Sequence, residues 1–395
     1  MSTSMFYPLA ASSWDDKEIA AIQRIINGDM YTMGPEVAAF EAEFAAYHGK
    51  KYGVMGNSGS SANLIAVAAQ FFKKNNRLKR GDEVIVPAVS WATTYHPLQQ
   101  YGLKMKIVDV ELDTLNMDVA QLEDALSPDT KMLVAVSILG NPCDLDVMRA
   151  FCDKHGLVFM EDNCESLDAE LNGKKAGSFG DVNTSSFFFS HHIATMEGGM
   201  IVTDDLELCH IMRALRAHGW TRDLPKDSPI FENKSDDFFE AYRFILPGYN
   251  VRPTEMSGAI GREQLRKLPA FTAQRRKNLA LFNELLGPDE RFIIQRENGT
   301  HSSFCFPIIL NPAMNIDRVR VFNALKDADI GYRIITGGCI LRHDVMEYYD
   351  FETVGEIANA NIAHDNGFFC GNHPHDLEPQ IRKLYEVLDT SAVPA

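Results

Sequence analysis

The chain has 395 residues, 38 Lys and Arg against 54 Asp and Glu, a formal net charge of −16, 45% apolar residues and 23% charged ones. These values belong to a globular protein of two domains, or one large domain and a smaller one, and exclude disordered, collagenous and low-complexity classes. The acidic balance speaks against coating nucleic acid or an anionic membrane, although helix N-termini still bind phosphate locally.

No apolar run reaches the ~18 residues that span a bilayer. The first twenty residues lack a basic stretch followed by an apolar one, so no secretory signal is expected. Seven scattered cysteines without a C-x-x-C fit a cytoplasmic protein with reduced thiols, not a disulfide frame or a compact iron–sulfur ligand set.

In chain order, Asp15 to Gly28 reads as a helix with Ile19, Ile22, Ile25 and Ile26 on one face. Glu36 to His48 is a second helix, stopped by Gly49. Asn57 to Ser61 is a turn, and Ala62 to Phe72 follows at helical spacing. Strand and helix signals then alternate. Apolar runs lie at Glu83 to Val86, Met105 to Val110, Met132 to Ile138, Leu157 to Met160, Ser185 to Phe189 and Met200 to Thr203. Helical patterns lie at Asp118 to Leu126 and Leu145 to His155. This alternation predicts an α/β fold, a mostly parallel sheet flanked by helices, with ligands at the carboxyl ends of the strands. After Pro253 a long helix runs to Leu286. The remainder mixes strands (Cys305 to Leu310, Gly331 to Ile335) with helices (Asp317 to Ala328, Gln380 to Leu388). The expected division is a segment over 1–30 packing on the small domain, a large domain over 31–250 and a small α/β domain over 251–395.

Four segments carry chemistry. Asn57-Ser58-Gly59-Ser60-Ser61 opening a helix is either an ordinary N-cap or a phosphate nest. Glu161-Asp162-Asn163-Cys164-Glu165 ends an apolar strand, so its carboxylates are either solvated or aimed at a metal, a ribose or a protonated heterocycle. His191 and His192 point opposite ways if the segment is extended, a poor pair for one metal ion but suited to one acid/base histidine. Trp91 is either core or a stacking platform. Near the C-terminus Cys370-Gly371-Asn372-His373-Pro374-His375 lacks a matched second ligand pair, so no metal is expected.

The order of these segments, with Met33-Gly34-Pro35-Glu36-Val37, Gly140-Asn141-Pro142, Glu197-Gly198-Gly199, Leu215-Arg216, His218-Gly219, Tyr249-Asn250 and Arg252-Pro253-Thr254-Glu255, resembles the DegT/DnrJ/EryC1/StrS nucleotide-sugar aminotransferases over nearly the whole chain. The resemblance implies the pyridoxal-phosphate aspartate-aminotransferase fold (fold type I). The family carries a lysine six residues before the Glu-Gly-Gly glutamate; here that position is His191, and no lysine occurs between Lys175 and Lys226. The sequence therefore resembles the lysine-free branch, and within it the members that remove the C3 hydroxyl of GDP-linked 4-keto-6-deoxymannose for colitose, a lipopolysaccharide O-antigen sugar, rather than those that act on a CDP-linked sugar with an iron–sulfur cluster, whose clustered cysteines are not seen.

The resemblance implies pyridoxal and pyridoxamine 5'-phosphate as cofactor, a nucleotide sugar and L-glutamate as substrates, release of ammonia, and a homodimer with sites shared across its interface. It makes His191 the catalytic proton carrier. Gly59, Ser60, Ser186 and Ser190 bind the phosphate, Trp91 stacks on the ring, Asp162 pairs with the ring nitrogen, and Glu165 lies near the ring hydroxyl. Asn250 reaches a neighbouring subunit's cofactor, and His218, Arg222 and Arg342 contact substrate. The alternatives are a lysine-free aminotransferase and a non-catalytic cofactor sensor.

Overall fold

The computed structural model describes residues 5–75, 77–234 and 236–394. Its largest feature is an eight-stranded sheet in the order Tyr52–Gly56, Gly199–Thr203, Val182–Ser186, Val158–Asp162, Thr130–Val136, Glu83–Pro87, Lys104–Val108 and Phe351–Thr353. Only Gly199–Thr203 runs against its neighbours; the pairs from Val182–Ser186 outward to Phe351–Thr353 are all parallel.

The central strands are buried on both faces, which is why they read as short apolar runs rather than alternating ones. Their side chains still divide by the two-residue period. Val84, Val86, Met105, Ile107 and Val134 pack with Ala62, Ile65 and Leu208, while Ile85, Val108, Leu133, Ala135 and Phe159 pack with Leu145, Met148 and Cys152.

The helices close both faces and end where their sequences say they should. Asp15 caps Asp16–Asn27 in a capping box with Glu18. Pro35–Tyr47 is followed by Gly49 at φ +65, and Leu145–His155 by Gly156 in the left-handed conformation. Some expectations fail. Ile19 and Ile26 are exposed; Ala21, Ile25 and Glu18 form the buried face of the first helix, because it leans on the long Glu255–Leu286 helix across its Ala21 side. The helix expected over Asp118 to Leu126 is a 3-10 turn, Val119–Gln121, and one α-turn, Leu122–Ala125. The strand expected over Ser185 to Phe189 spans Val182–Ser186, so His191 and His192 follow a turn, with the His191 amide donating to the Phe188 carbonyl (2.9 Å).

A second, antiparallel sheet is ordered Phe292–Ile294, Cys305–Leu310, Gly367–Gly371, Tyr332–Arg333. It packs with the end of the long helix, Arg318–Asp327 and Glu378–Ser391 around Phe282, Phe306, Phe368 and Leu384. Tyr7 is buried in this smaller core, and its carbonyl accepts from the Gly331 amide (2.8 Å). The chain beyond 250 also reaches back to the large sheet, since Phe351–Thr353 is its edge strand. The buried Asp109 carboxylate receives the Asn359 and Ala360 amides at the start of Ala358–Asn366 (both 2.8 Å). No helix among the described residues is long and apolar enough to cross a membrane.

Candidate active site

The carboxyl ends of the strands converge on a cavity of about 480 Å³. Two of its walls are strand ends of the large sheet and a third is a helix start beside them. Asp162 ends Val158–Asp162 and Ser186 ends Val182–Ser186. The third wall is the N-terminus of Gly59–Gln70, capped by Ser58, whose hydroxyl accepts from the Ser61 amide (3.0 Å). The Gly59 and Ser60 amides head this helix and have no intrahelical acceptor. A glycine is required here: a Cβ on Gly59 would stand 2.4 Å from the Ser186 Cβ. The helix start and the strand end therefore form one cradle, with amide donors, serine hydroxyls and the positive end of a helix.

Asp162 is buried and fixed from several sides. Its Oδ2 accepts from Asn63 Nδ2 (2.8 Å) and Thr94 Oγ1 (2.7 Å), and its Oδ1 from the Cys164 amide (3.2 Å). Asn63 is itself held by Thr184 Oγ1 (2.6 Å), and Thr94 by Ser90 (2.8 Å). A carboxylate held this way has one orientation and can receive a further N–H donor. Trp91 lies at the start of Ala92–Gln100 with 58% of its surface exposed along the same cavity. An indole left open this way is not core and leaves its face free for a planar group.

Glu165 also faces the cavity. Its carboxylate accepts from the Leu139 amide (3.0 Å) and lies 3.5 Å from Thr336 Oγ1. Both partners have positive φ, 55 and 43, a strain that side chains other than glycine carry chiefly where function holds them. Burial, reinforced by Asp162 and partly offset by the Leu139 amide, pushes Glu165 up to about 7.

His191 forms the remaining wall, half-buried, edge-on to Phe304 (ring centroids 5.1 Å) with Ser190 Oγ 3.5 Å from its Nδ1. Burial, with the Arg275 guanidinium, lowers its pKa to about 3, so the ring is neutral at ordinary pH. His192 turns away into the core and its Nε2 meets the Ser302 carbonyl (3.2 Å). His191 lines the cavity and His192 does not, but the segment is a turn rather than the extended strand expected, and both rings lie near Phe304. No lysine lines the cavity among the described residues.

Gly59, Ser60, Trp91, Asp162, Glu165, Ser186, Ser190 and His191 thus share one cavity. The other four expected residues stand outside it. Asn250 is exposed and accepts from Arg252 Nε (3.0 Å). His218 and Arg222 both lie against Trp220, at 5.0 and 5.2 Å. Arg342 pairs with Asp365 (3.1 Å). The sequence reading missed Asn63, Thr94, Phe304, Arg333 and Thr336, all on the cavity wall. Asn63 had a signal, an amide inside an Ala-rich apolar run; the residues beyond 300 had none, because only the packing of the C-terminal region brings them here. Among the described residues no three His, Cys, Asp or Glu side chains gather as a metal site.

The profile of the DegT/DnrJ/EryC1/StrS aminotransferase family matches residues 12–387. A GDP-4-keto-6-deoxy-D-mannose 3-dehydratase of Yersinia pseudotuberculosis is 50% identical over 384 residues, covering 97% of this chain and 98% of that protein. A solved E. coli GDP-4-keto-6-deoxy-D-mannose-3-dehydratase with bound hydrated PLP has a TM-score of 0.95 to this chain at 48% identity, covering 98% of this chain and 100% of that one. A mutant GDP-4-keto-6-deoxymannose-3-dehydratase with bound GDP-perosamine also has a TM-score of 0.95 at 48% identity, covering 97% and 100%.

Proposed function

Since the chain belongs to the DegT/DnrJ/EryC1/StrS aminotransferase family, we propose that this cavity holds pyridoxal phosphate and that His191 carries the protons of a sugar dehydration. The chain has the fold type I architecture and is a pyridoxal-phosphate-dependent dehydratase of GDP-4-keto-6-deoxy-D-mannose, with L-glutamate as amino donor. The observation that carries the residue roles is a neutral imidazole, and no lysine, on the wall of a cavity that otherwise suits the cofactor.

The cavity fits that group. The Gly59 and Ser60 amides with Ser186 and Ser190 offer donors for a phosphate in a space that a Cβ at Gly59 would fill. Asp162, a buried acceptor with a fixed orientation, keeps a ring N–H in place, and Trp91 covers one face of the ring. When bound, pyridoxal phosphate charged by glutamate supplies the amine that joins the sugar's C4 ketone and the conjugated ring that accepts electrons as the C3 hydroxyl leaves.

The residues of the chain bind, orient and move protons. Lysine would both tether the cofactor and shuttle protons; imidazole does only the second. His191, neutral before turnover, takes the proton at the cofactor's C4′ carbon and delivers one to the departing C3 oxygen. Glu165, with a pKa near 7, orients the neighbouring polar atom in either protonation state. Phe304 and Trp91 limit water around the reacting carbons.

His218, Arg222, Arg342 and Asn250 take their roles toward substrate and toward a second copy's cofactor in a homodimer. Exposed Tyr31, Phe188, Phe189 and Met196 are side chains that such a partner would cover. Seven free cysteines suit a reducing cytoplasm.

The test is incubation with glutamate and the GDP-, CDP- or dTDP-linked 4-keto-6-deoxy sugar. Ammonia release with the GDP sugar, lost in His191→Asn, supports the reading. A stable 4-amino sugar would defeat it.

A further inference from the structure

The turn that presents His191 is fastened from behind by the N-terminal segment. Three residues after His191, Ala194 is gripped at both backbone groups: its carbonyl accepts from Trp14 Nε1 (2.9 Å) and its amide donates to Gln264 Oε1 (3.1 Å). Gln264 is completely buried in the long Glu255–Leu286 helix, and all its polar capacity is used. The same Oε1 accepts from Ser13 Oγ (2.8 Å), while Nε2 donates to the Ser13 carbonyl (3.3 Å) and to Glu18 Oε1 (2.7 Å). Glu18, also fully buried, is the capping-box residue of Asp16–Asn27 and is neutralised by Lys267 Nζ (2.7 Å). An amide side chain and an indole N–H thus hold the two peptide groups on either side of Ala194 in the His191 turn, and a helix cap holds the amide side chain from behind. Core packing of an alanine methyl requires none of them, and each buried polar group would cost about 1–3 kcal/mol if left unpaired.

We propose that Trp14 and Gln264 are positioning residues for His191, setting the imidazole over the reacting carbon through the two peptide groups that flank Ala194. The inference rests on the proton-carrier reading of His191. Proton transfer requires heavy atoms within hydrogen-bond reach, and a shift of about 1 Å in the carrier is worth up to ~100-fold in rate. The N-terminal segment then acts on catalysis without touching substrate.

The test is Trp14→Phe, which removes the indole N–H and keeps a ring. Its control is His375→Ala, which frees the same segment at Ser12, whose carbonyl lies 3.0 Å from His375 Nε2. In Trp14→Phe, kcat should fall roughly tenfold with KM for both substrates unchanged and a larger solvent deuterium isotope effect on kcat; His375→Ala should change neither. Adding Trp14→Phe to His191→Asn should cause no further loss, because the indole acts through the imidazole. Unchanged kcat in Trp14→Phe, an equal loss in His375→Ala, or additive losses in the double variant would overturn the inference. Retained activity in His191→Asn alone would instead overturn the reading of His191.

Discussion

The proposed role of His191 needs a neutral imidazole at the start of turnover, and its surroundings favour that form. Burial and Arg275 hold it near 3, so no step in the free enzyme's pH profile between 5 and 9 should belong to it. Glu165, raised to about 7, should appear there instead: kcat/KM changes through pH 7 in the unmodified protein, and Glu165→Gln loses that inflection. An inflection near 6.5 that survives Glu165→Gln would contradict both assignments. His191→Asn should lower turnover by about 10²–10⁴, the worth of one positioned acid/base group. At this scale the sequence was most legible where chemistry is local. The strand-end Asp162, the Gly59-Ser60 turn and the missing lysine all sit within short runs. It was least legible where one residue serves another. Thr94 and Thr336 look like any threonine until the fold sets them against Asp162 and Glu165.

The helix N-termini around the site depend on contacts far apart in sequence. The start of Pro35–Tyr47 has no side-chain cap of its own. Its amides are served by Glu255, which accepts from Gly34 (2.7 Å), Glu36 (2.6 Å) and Val37 (3.2 Å). A buried carboxylate meeting three amides is a charge-assisted cap. Glu255→Ala should cost about 2–3 kcal/mol, read as a drop in urea midpoint; a change under about 0.5 kcal/mol would show that water replaces it. At Gly59 an added methyl meets the Ser186 Cβ. Gly59→Ala should therefore weaken cofactor binding roughly tenfold or more, read as a change in tryptophan fluorescence on titration, and the clash should cost about 1–3 kcal/mol of stability as well. Leu145–His155, closed by the left-handed Gly156, was read from sequence to the residue. The strand Tyr52–Gly56 was not read, since five residues between a helix and a Gly/Ser turn carry too little pattern. The edge strand Phe351–Thr353 has a three-residue signal and gains its identity only by pairing with Lys104–Val108.

The whole molecule stores several histidines neutral in its interior. Burial lowers His48 and His373 to about 4 and His301 to about 3. The unfolded chain protonates each near 6.5, so between 6.5 and those values it binds more protons than the folded chain. Stability therefore falls as pH drops below 6.5, by up to about 1.4 kcal/mol per pH unit for each such histidine. The urea midpoint should be nearly flat from pH 8 to 7 and decline steeply from 6.5 to 5; a flat profile to pH 5 would refute this account of the interior. The overall α/β plan was legible because its strands are continuous apolar runs separated by amphipathic helices. The division near residue 250 hides how often the later chain returns to the large sheet and its helices: as an edge strand, as the Glu255 cap of Pro35–Tyr47, as the amides on Asp109, and as the Thr336 and Phe304 wall of the cavity. The central claim, that imidazole in place of lysine directs the site to dehydration, is tested most directly by following the C3 oxygen of a heavy-oxygen-labelled GDP-4-keto-6-deoxymannose during turnover with glutamate. The account predicts label in water, a sugar nucleotide lacking that oxygen, and ammonia. A product that keeps the label at C3 and carries an amine at C4 would contradict it.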